Sequence, residues 1–154
     1  MDIADLLARD GIVARGAATS KRQALHRLAD AASGRLGLPS ARILEALIER
    51  EALGSTGLGG GVAVPHARLE GLSRVTGVFL RLDEPVAFEA VDDRPVDILF
   101  GLFAPPKDGA EHLRALAAVS RALRSSDFRR RVREASSVDE IHALFVEDQP
   151  AHAA

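Results

Sequence analysis

Gly54-Ser55-Thr56-Gly57-Leu58-Gly59-Gly60-Gly61-Val62-Ala63-Val64-Pro65-His66 is the stretch around which the rest of the chain is read. A glycine-rich loop feeds a short apolar run, which stops at a proline followed by a histidine. Glycine has no Cβ, so the loop backbone is free to take positive φ and to come close to another group. Val62, Ala63 and Val64 read as a buried strand of minimal length. Pro65 pushes Val64 into the extended region and fixes its own φ. Stiff backbone therefore presents His66 at a strand end. A neutral imidazole held in that way suits a nucleophile, but a lone histidine after a strand is more often structural; the spacing by itself leaves both open.

Familiar phosphate and nucleophile motifs do not fit this stretch. A Walker A loop needs Lys-Ser or Lys-Thr after its last glycine, where this chain has Val62-Ala63. A dinucleotide fingerprint needs glycine where Val62 stands. The Gly-x-Ser-x-Gly elbow is missed because Leu53, not glycine, sits two before Ser55.

Upstream of the loop, Pro39-Ser40 opens a helix with Ile43, Leu44, Leu47 and Ile48 as its apolar stripe. Arg50 falls one position past that stripe, in the last turn. It suits a cation favoured near a helix C-terminus, and it suits a bidentate phosphate ligand at the mouth of a site. Ser20-Lys21-Arg22-Gln23 is a capping box that opens an earlier helix. That helix carries Leu25, Leu28, Ala29, Ala32 and Leu36 on one face and ends near Gly34 and Gly37. His26 lies beside its stripe and reads as a surface residue. Residues 2 to 9 read as a short helix, followed by an irregular approach through Gly11 and Gly16.

Downstream, residues 68 to 74 form a polar connection around Gly71. Residues 75 to 82 read as a strand, and residues 85 to 88 as a short extended piece. Asp92-Asp93-Arg94-Pro95 is a turn signal. Residues 96 to 104 are the most continuous apolar run and predict a central strand. The acids Asp83, Glu84, Glu89, Asp92 and Asp93 are scattered through turns without metal-ligand spacing and read as solvated loop charge. Pro105-Pro106 breaks the strand, and Asp108-Gly109-Ala110-Glu111 is a second capping box. The helix after it runs to about Ser125, with Leu113, Leu116, Ala117, Ser120 and Leu123 expected inward. His112 lands in its first turn, where the positive end of the helix dipole disfavours a charged imidazole. It is either a neutral hydrogen-bond donor or a cap-region surface residue.

Arg121, Arg124, Arg129, Arg130, Arg131 and Arg133 form a basic patch, read as a solvated helix face; docking to an acidic protein stays open. Ser137-Val138-Asp139-Glu140 is a third capping box, opening a last helix with Ile141, Leu144 and Phe145 inward and His142 beside them. From Glu147 onward the sequence reads as a short frayed tail, so a single domain is expected over residues 1 to 146. Helices and strands alternate, which gives an α/β sandwich.

Composition narrows the function classes. At 154 residues and 47% hydrophobic, the chain can bury one core. It has six Phe but no Trp, Tyr or Cys, so thiolate catalysis, disulfides and Cys-based zinc sites are excluded. A net charge of −2 argues against nucleic acid as the main partner. The start has early acids and no basic n-region, which is unlike a signal peptide. No apolar run approaches the roughly 20 residues of a membrane span. A cytoplasmic protein is expected.

The run Gly57-Leu58-Gly59-Gly60-Gly61-Val62-Ala63-Val64-Pro65-His66-Ala67-Arg68 closely resembles the active-site signature of the fructose/mannitol-type IIA proteins of the bacterial phosphotransferase system. Arg50-Glu51-Ala52-Leu53-Gly54-Ser55-Thr56-Gly57 and Glu111-His112-Leu113 are also similar to family motifs, and the resemblance covers residues 1 to 146. In that family the histidine after the proline carries a phosphoryl group. The resemblance implies a mixed, roughly five-stranded sheet with helices on both faces. It implies His66 as the nucleophile, Arg50 and His112 as stabilisers of phosphate charge, and Thr56, Gly57, Gly59 and Gly61 as the loop whose backbone approaches the phosphate. Gly60 is blander than in many relatives. No nucleotide is bound, so neither Mg²⁺ nor another cofactor is called for, and no metal site is expected.

The implied donor is a phosphohistidine on a small HPr-type carrier. Asp5-Leu6-Leu7 and Ser20-Lys21-Arg22-Gln23-Ala24-Leu25 resemble the nitrogen-related branch more than the sugar-specific one. The expected function is a regulatory phosphocarrier, a phosphotransferase component whose state is read by protein targets. A sugar-transport IIA passing phosphate to a IIB partner is the first alternative. A non-catalytic binding module of the same fold is the second.

Overall fold

The computed structural model of the chain describes residues 2–107 and 109–147. Its elements in order are α1 (Ile3–Leu6), a 3-10 turn (Arg9–Gly11), β1 (Ile12–Gly16), α2 (Lys21–Leu36), α3 (Ser40–Ala52), β2 (Gly57–Gly59), β3 (Val62–Ala63), β4 (His66–Arg68), β5 (Thr76–Val86), β6 (Val96–Ala104), α4 (Gly109–Arg124), α5 (Ser126–Glu134) and α6 (Val138–Glu147). The strands form one mixed sheet in the order β1-β5-β6-β3-β2, and β4 also pairs with β6. β5 and β6 run antiparallel, whereas β3 and β4 lie parallel to β6.

β6 is the centre, as its apolar run predicts. Because both faces of the sheet are covered, alternation disappears into continuous hydrophobicity. Ile98, Phe100, Leu102 and Ala104 pack under α1, α4, α5 and α6, while Leu99 and Phe103 pack under α2 and α3. The bare Gly101 makes room for Leu28: a Cβ there would stand 3.0 Å from a Leu28 methyl. Phe145 fills the larger core with edge-on contacts to Phe79, Phe100 and Phe128 at 5.1–5.5 Å.

The capping signals place the helix starts. Ser20 Oγ accepts from Gln23 N at 3.1 Å, and the Gln23 side chain returns to Thr19, whose N–H donates to Oε1 at 2.8 Å. Gly37, in the left-handed region at φ 71°, ends α2 by donating to Ser33 O. Glu140 N donates to Ser137 Oγ at 3.1 Å at the start of α6. The expected cap at Asp108 falls outside the described residues, as does the tail from residue 148 onward. Glu147, expected to begin that tail, is the last residue of α6. His26 is exposed on α2, within 3.6 Å of Asp30.

Three readings of the sequence need correction, and the basic segment read as a helix face gains bounds of its own. The first helix covers just Ile3–Leu6. The approach expected to be irregular contains β1, which pairs parallel with β5; two glycines and an exposed Arg15 hide a strand whose partner lies far along the chain. The basic segment after α4 is a separate helix, α5, opened by Ser125, whose Oγ accepts from Phe128 N. The phase of α4 is turned. His112, Ala115, Ala118, Val119, Ala122 and Leu123 are buried, whereas Leu113 is 66% exposed and Ala117 also faces outward. Large leucines invited the first phase, but the space above β6 takes small residues.

Arg81 has an interior place that strand periodicity did not assign. Its guanidinium donates to the carbonyls of Ala14, Val132 and Ala135 at 2.7–2.8 Å, tying β1 to the α5–α6 junction. Carbonyls left over where helices end are natural acceptors for such a fork.

Candidate active site

His66 opens β4, directly after the Val64-Pro65 step, and pairs with Leu102 of the central strand. Pro65 lacks an N–H, but its carbonyl accepts from Leu102 N at 2.9 Å. The proline thus keeps the backbone in register with β6 while interrupting the β3–β4 run. On the ring, Nδ1 lies 3.0 Å from Val64 O. A carbonyl only accepts, so Nδ1 carries the proton and Nε2 keeps its lone pair. Arg50, from the last turn of α3, donates its Nε–H to that Nε2 at 3.2 Å and its Nη1–H to Gly54 O at 2.8 Å.

His112 arrives from the first turns of α4. Its ring meets His66 edge-on, 5.5 Å between centroids, and its Nε2 is buried with no hydrogen-bond partner among the described residues. Burial lowers the His66 pKa below its ordinary value; the Val64 carbonyl opposes this, and the Arg50 charge adds to it. His112 is lowered too, first by burial and then by His66 and Arg68. The neutrality expected from the helix dipole is present, and desolvation is its leading cause. Both rings are neutral near pH 7. A cavity of about 440 Å³ opens over them, with Arg50 and Arg68 at its wall and Leu53, Leu113 and Leu116 on its apolar side.

The glycine run is placed differently from Arg50, His66 and His112. β2 and β3 form a hairpin, and Gly59, Gly60 and Gly61 turn it with φ of 93°, 66° and 82°. None of Thr56, Gly57, Gly59 or Gly61 lines the histidine cavity. Thr56 N–H and hydroxyl both go to the Glu51 carboxylate, and Gly57 N donates to Ser55 Oγ at 3.1 Å. Gly60 N donates to Asp92 Oδ2 at 3.0 Å. Arg133 forks onto Asp97 and reaches Gly60 O at 2.7 Å. Arg129 lies against Gly60 and donates to Leu123 O and Arg124 O at the end of α4. Two arginines of the basic patch are therefore internal ties, and they occupy the space over the turn that glycine leaves empty.

Glu51 is a site-adjacent residue that sequence reasoning did not single out. Its side chain is 5% exposed and pairs with Lys21 Nζ at 2.9 Å. The available signal was its place inside the Arg50-to-Gly57 motif.

The family model described as phosphoenolpyruvate-dependent sugar phosphotransferase system, EIIA 2, matches residues 5–148. A nitrogen regulatory protein of Bradyrhizobium diazoefficiens is 41% identical over 144 residues, 94% of each chain. The crystal structure of nitrogen regulatory protein IIA-Ntr from Neisseria meningitidis superposes with a TM-score of 0.88 at 35% identity, covering 93% of this chain and 98% of that one. The IIA chain in the complex of mannitol enzymes IIA and phosphorylated IIB from Escherichia coli shares the fold, with a TM-score of 0.77 at 24% identity, 92% of this chain and 97% of that one. A phosphocarrier role with regulatory character follows from these relatives and the fold. The chain belongs to the EIIA type-2 family of the phosphoenolpyruvate-dependent sugar phosphotransferase system.

Proposed function

We propose that His66 accepts a phosphoryl group on Nε2 from a phosphohistidine of a small HPr-type carrier, and that the phosphorylation state is read by regulatory protein targets. The observation that carries this reading is the fixed tautomer: Nδ1–H is held by Val64 O, so the lone pair on Nε2 faces Arg50 and the cavity. In the transfer, the new Nε2–P bond forms as the donor's N–P bond breaks. Such transfer depends on positioning and on charge around a loose transition state. Arg50 would move its Nε–H from the lone pair onto the phosphoryl oxygens. His112, neutral and with an unpartnered Nε2 beside the cavity, would donate to another oxygen once its proton sits on that nitrogen. The Nδ1–H bond to Val64 O would steady the positive charge that the ring acquires on phosphorylation.

In this reading Thr56, Gly57, Gly59 and Gly61 serve to shape the strand that delivers His66: the Thr56 and Gly57 N–H groups, like that of Gly60, are already engaged, and Gly59 and Gly61 supply the positive φ of the hairpin turn. No nucleotide enters the step, and the site asks for no metal or cofactor. Among the described residues no helix is long and apolar enough to cross a membrane, and a cytoplasmic place suits a carrier fed from phosphoenolpyruvate.

A sugar-transport reading, with a IIB partner, is the competitor that the mannitol enzyme complex favours. The test has two stages. Incubation with phosphoenolpyruvate, enzyme I and the HPr-type carrier should give one acid-labile phosphate per chain, and His66→Ala should give none; stoichiometric labelling of that variant would end the proposal. Deletion of the gene should then spare growth on fructose and mannitol, while pull-downs recover partners that distinguish the two states. Selective loss of one sugar's uptake, with no such partner, would favour transport. A chain that takes no phosphate at all would be a binding module.

A further inference from the structure

Arg50 is a long side chain on a helix end, yet its guanidinium is held at one angle to His66 by a bond to Gly54 O. That carbonyl belongs to residues 53–56, which lie between α3 and β2; Thr56 O accepts from Val64 N at 3.0 Å, and no such pairing with the sheet holds Gly54 O. Ser55 Oγ ties the loop to Phe88 O at 2.8 Å and Gly54 N to Glu51 O at 3.1 Å, and the Glu51 side chain closes it from within. Its carboxylate reaches across the turn to the Thr56 N–H, 3.2 Å from each oxygen, and also receives the Thr56 hydroxyl. A carboxylate buried this far needs a cation. Lys21, from the first turn of α2, supplies it at 2.9 Å while sitting 4.7 Å from the centre of the Phe88 ring.

We propose that Glu51 and Lys21 are positioning residues for Arg50: their buried ion pair locks residues 53–56, and the Gly54 carbonyl of that loop aims the guanidinium at His66 Nε2. The inference rests on the phosphoryl-acceptor reading of His66. It assigns the pair no contact with the phosphoryl group. It also explains why the Thr56 donors are unavailable to a ligand. A guanidinium pre-aimed in this way does not lose rotamer freedom at the moment of transfer.

The test uses the full chain with Glu51→Gln, Arg50→Ala and the double variant, and two independent readouts. In the unphosphorylated protein, NMR should show an Arg50 Nε–H resonance with a cross-peak to the His66 ring. Glu51→Gln should abolish that cross-peak while amide dispersion elsewhere is kept; its persistence, or its absence from the parent, overturns the proposal. If Glu51→Gln fails to fold, Thr56→Val, which removes one donor to the carboxylate, is read in its place. In the second readout, Glu51→Gln should slow phosphoryl acceptance from the HPr-type carrier by roughly 10- to 100-fold. In the Arg50→Ala background the same change should cost less than about twofold. Equal slowing in both backgrounds overturns the proposal. A parent that takes no phosphate overturns the functional reading, and the NMR readout still decides whether Glu51 holds Arg50.

Discussion

Arg50 Nε and His66 Nε2 meet at 3.2 Å across 16 residues of chain, one at the end of a helix and the other at the start of a strand. The bond blocks the nitrogen that the proposed chemistry needs and stations a cation where phosphate charge would develop. Arg50→Ala should therefore free the lone pair but lose the charge. Removing one preorganised donor to a developing anion costs on the order of 10²–10³ in rate, and water entering the open cavity should soften this. The check is the rate of acid-labile labelling by the phosphorylated carrier; a rate equal to the parent's would leave Arg50 a helix-end cation.

His66 and His112 give the fold a pH dependence of known sign. Both pKa values are lowered from 6.5, chiefly by burial. The unfolded chain thus takes up protons at a higher pH than the folded one. Stability from the neutral rings is complete above the unfolded value and declines as pH falls from there toward the folded values. Denaturant midpoints should drop as pH is lowered from about 7 to about 5. His112→Gln should flatten that slope, and an unchanged slope would show that the buried ring is not one of its sources.

The turned phase of α4 is tested by two truncations on one helix. Val119 is fully buried and Leu113 is 66% exposed. Val119→Ala should cost about 1–3 kcal/mol in denaturant melts, and Leu113→Ala should stay within about 0.5 kcal/mol. Leu99→Ala, in the central strand, and Leu47→Ala, on the buried face of α3, should each cost roughly 2–5 kcal/mol. A reversed order for the α4 pair would restore the sequence-based phase.

Gly61 and Gly34 should respond oppositely to alanine. Gly61 holds φ 82°, and a Cβ there would run into the Arg133 guanidinium. Gly61→Ala should destabilise by about 1–3 kcal/mol and loosen the hairpin ahead of His66. Gly34 lies within α2 with nothing within 4 Å of its would-be Cβ, so Gly34→Ala should add about 0.5–1 kcal/mol. Thermal melts of the two variants decide both.

Some of this protein is settled by short-range chemistry, and that part was legible without coordinates. Ser20, Gly37 and Ser137 mark helix ends because capping is a matter of three or four neighbouring residues. The run 96–104 announces a central strand because burial on both faces demands continuous apolar side chains. The motif around Val64-Pro65-His66, with Arg50 and His112, pointed to the residues that the fold brings to one cavity. Other features depend on partners distant in the chain. β1 exists because β5 lies beside it, and its own residues do not announce a strand. The inward face of α4 is chosen by the room above β6, which admits Ala115 and Ala118 and turns Leu113 outward. The glycine run read as a phosphate cradle; from elsewhere in the chain Asp92 takes the Gly60 N–H, and Arg129 and Arg133 fill the space over the turn. Glu51 looked like an ordinary helix-end acid until Lys21 and Thr56 closed on it. Local sequence specifies caps, strand propensity and candidate chemistry; which donors are taken, which faces are covered and which nitrogen keeps its lone pair are set by tertiary contacts, because hydrogen bonds and burial are satisfied by whichever groups the folded chain brings within about 3 Å.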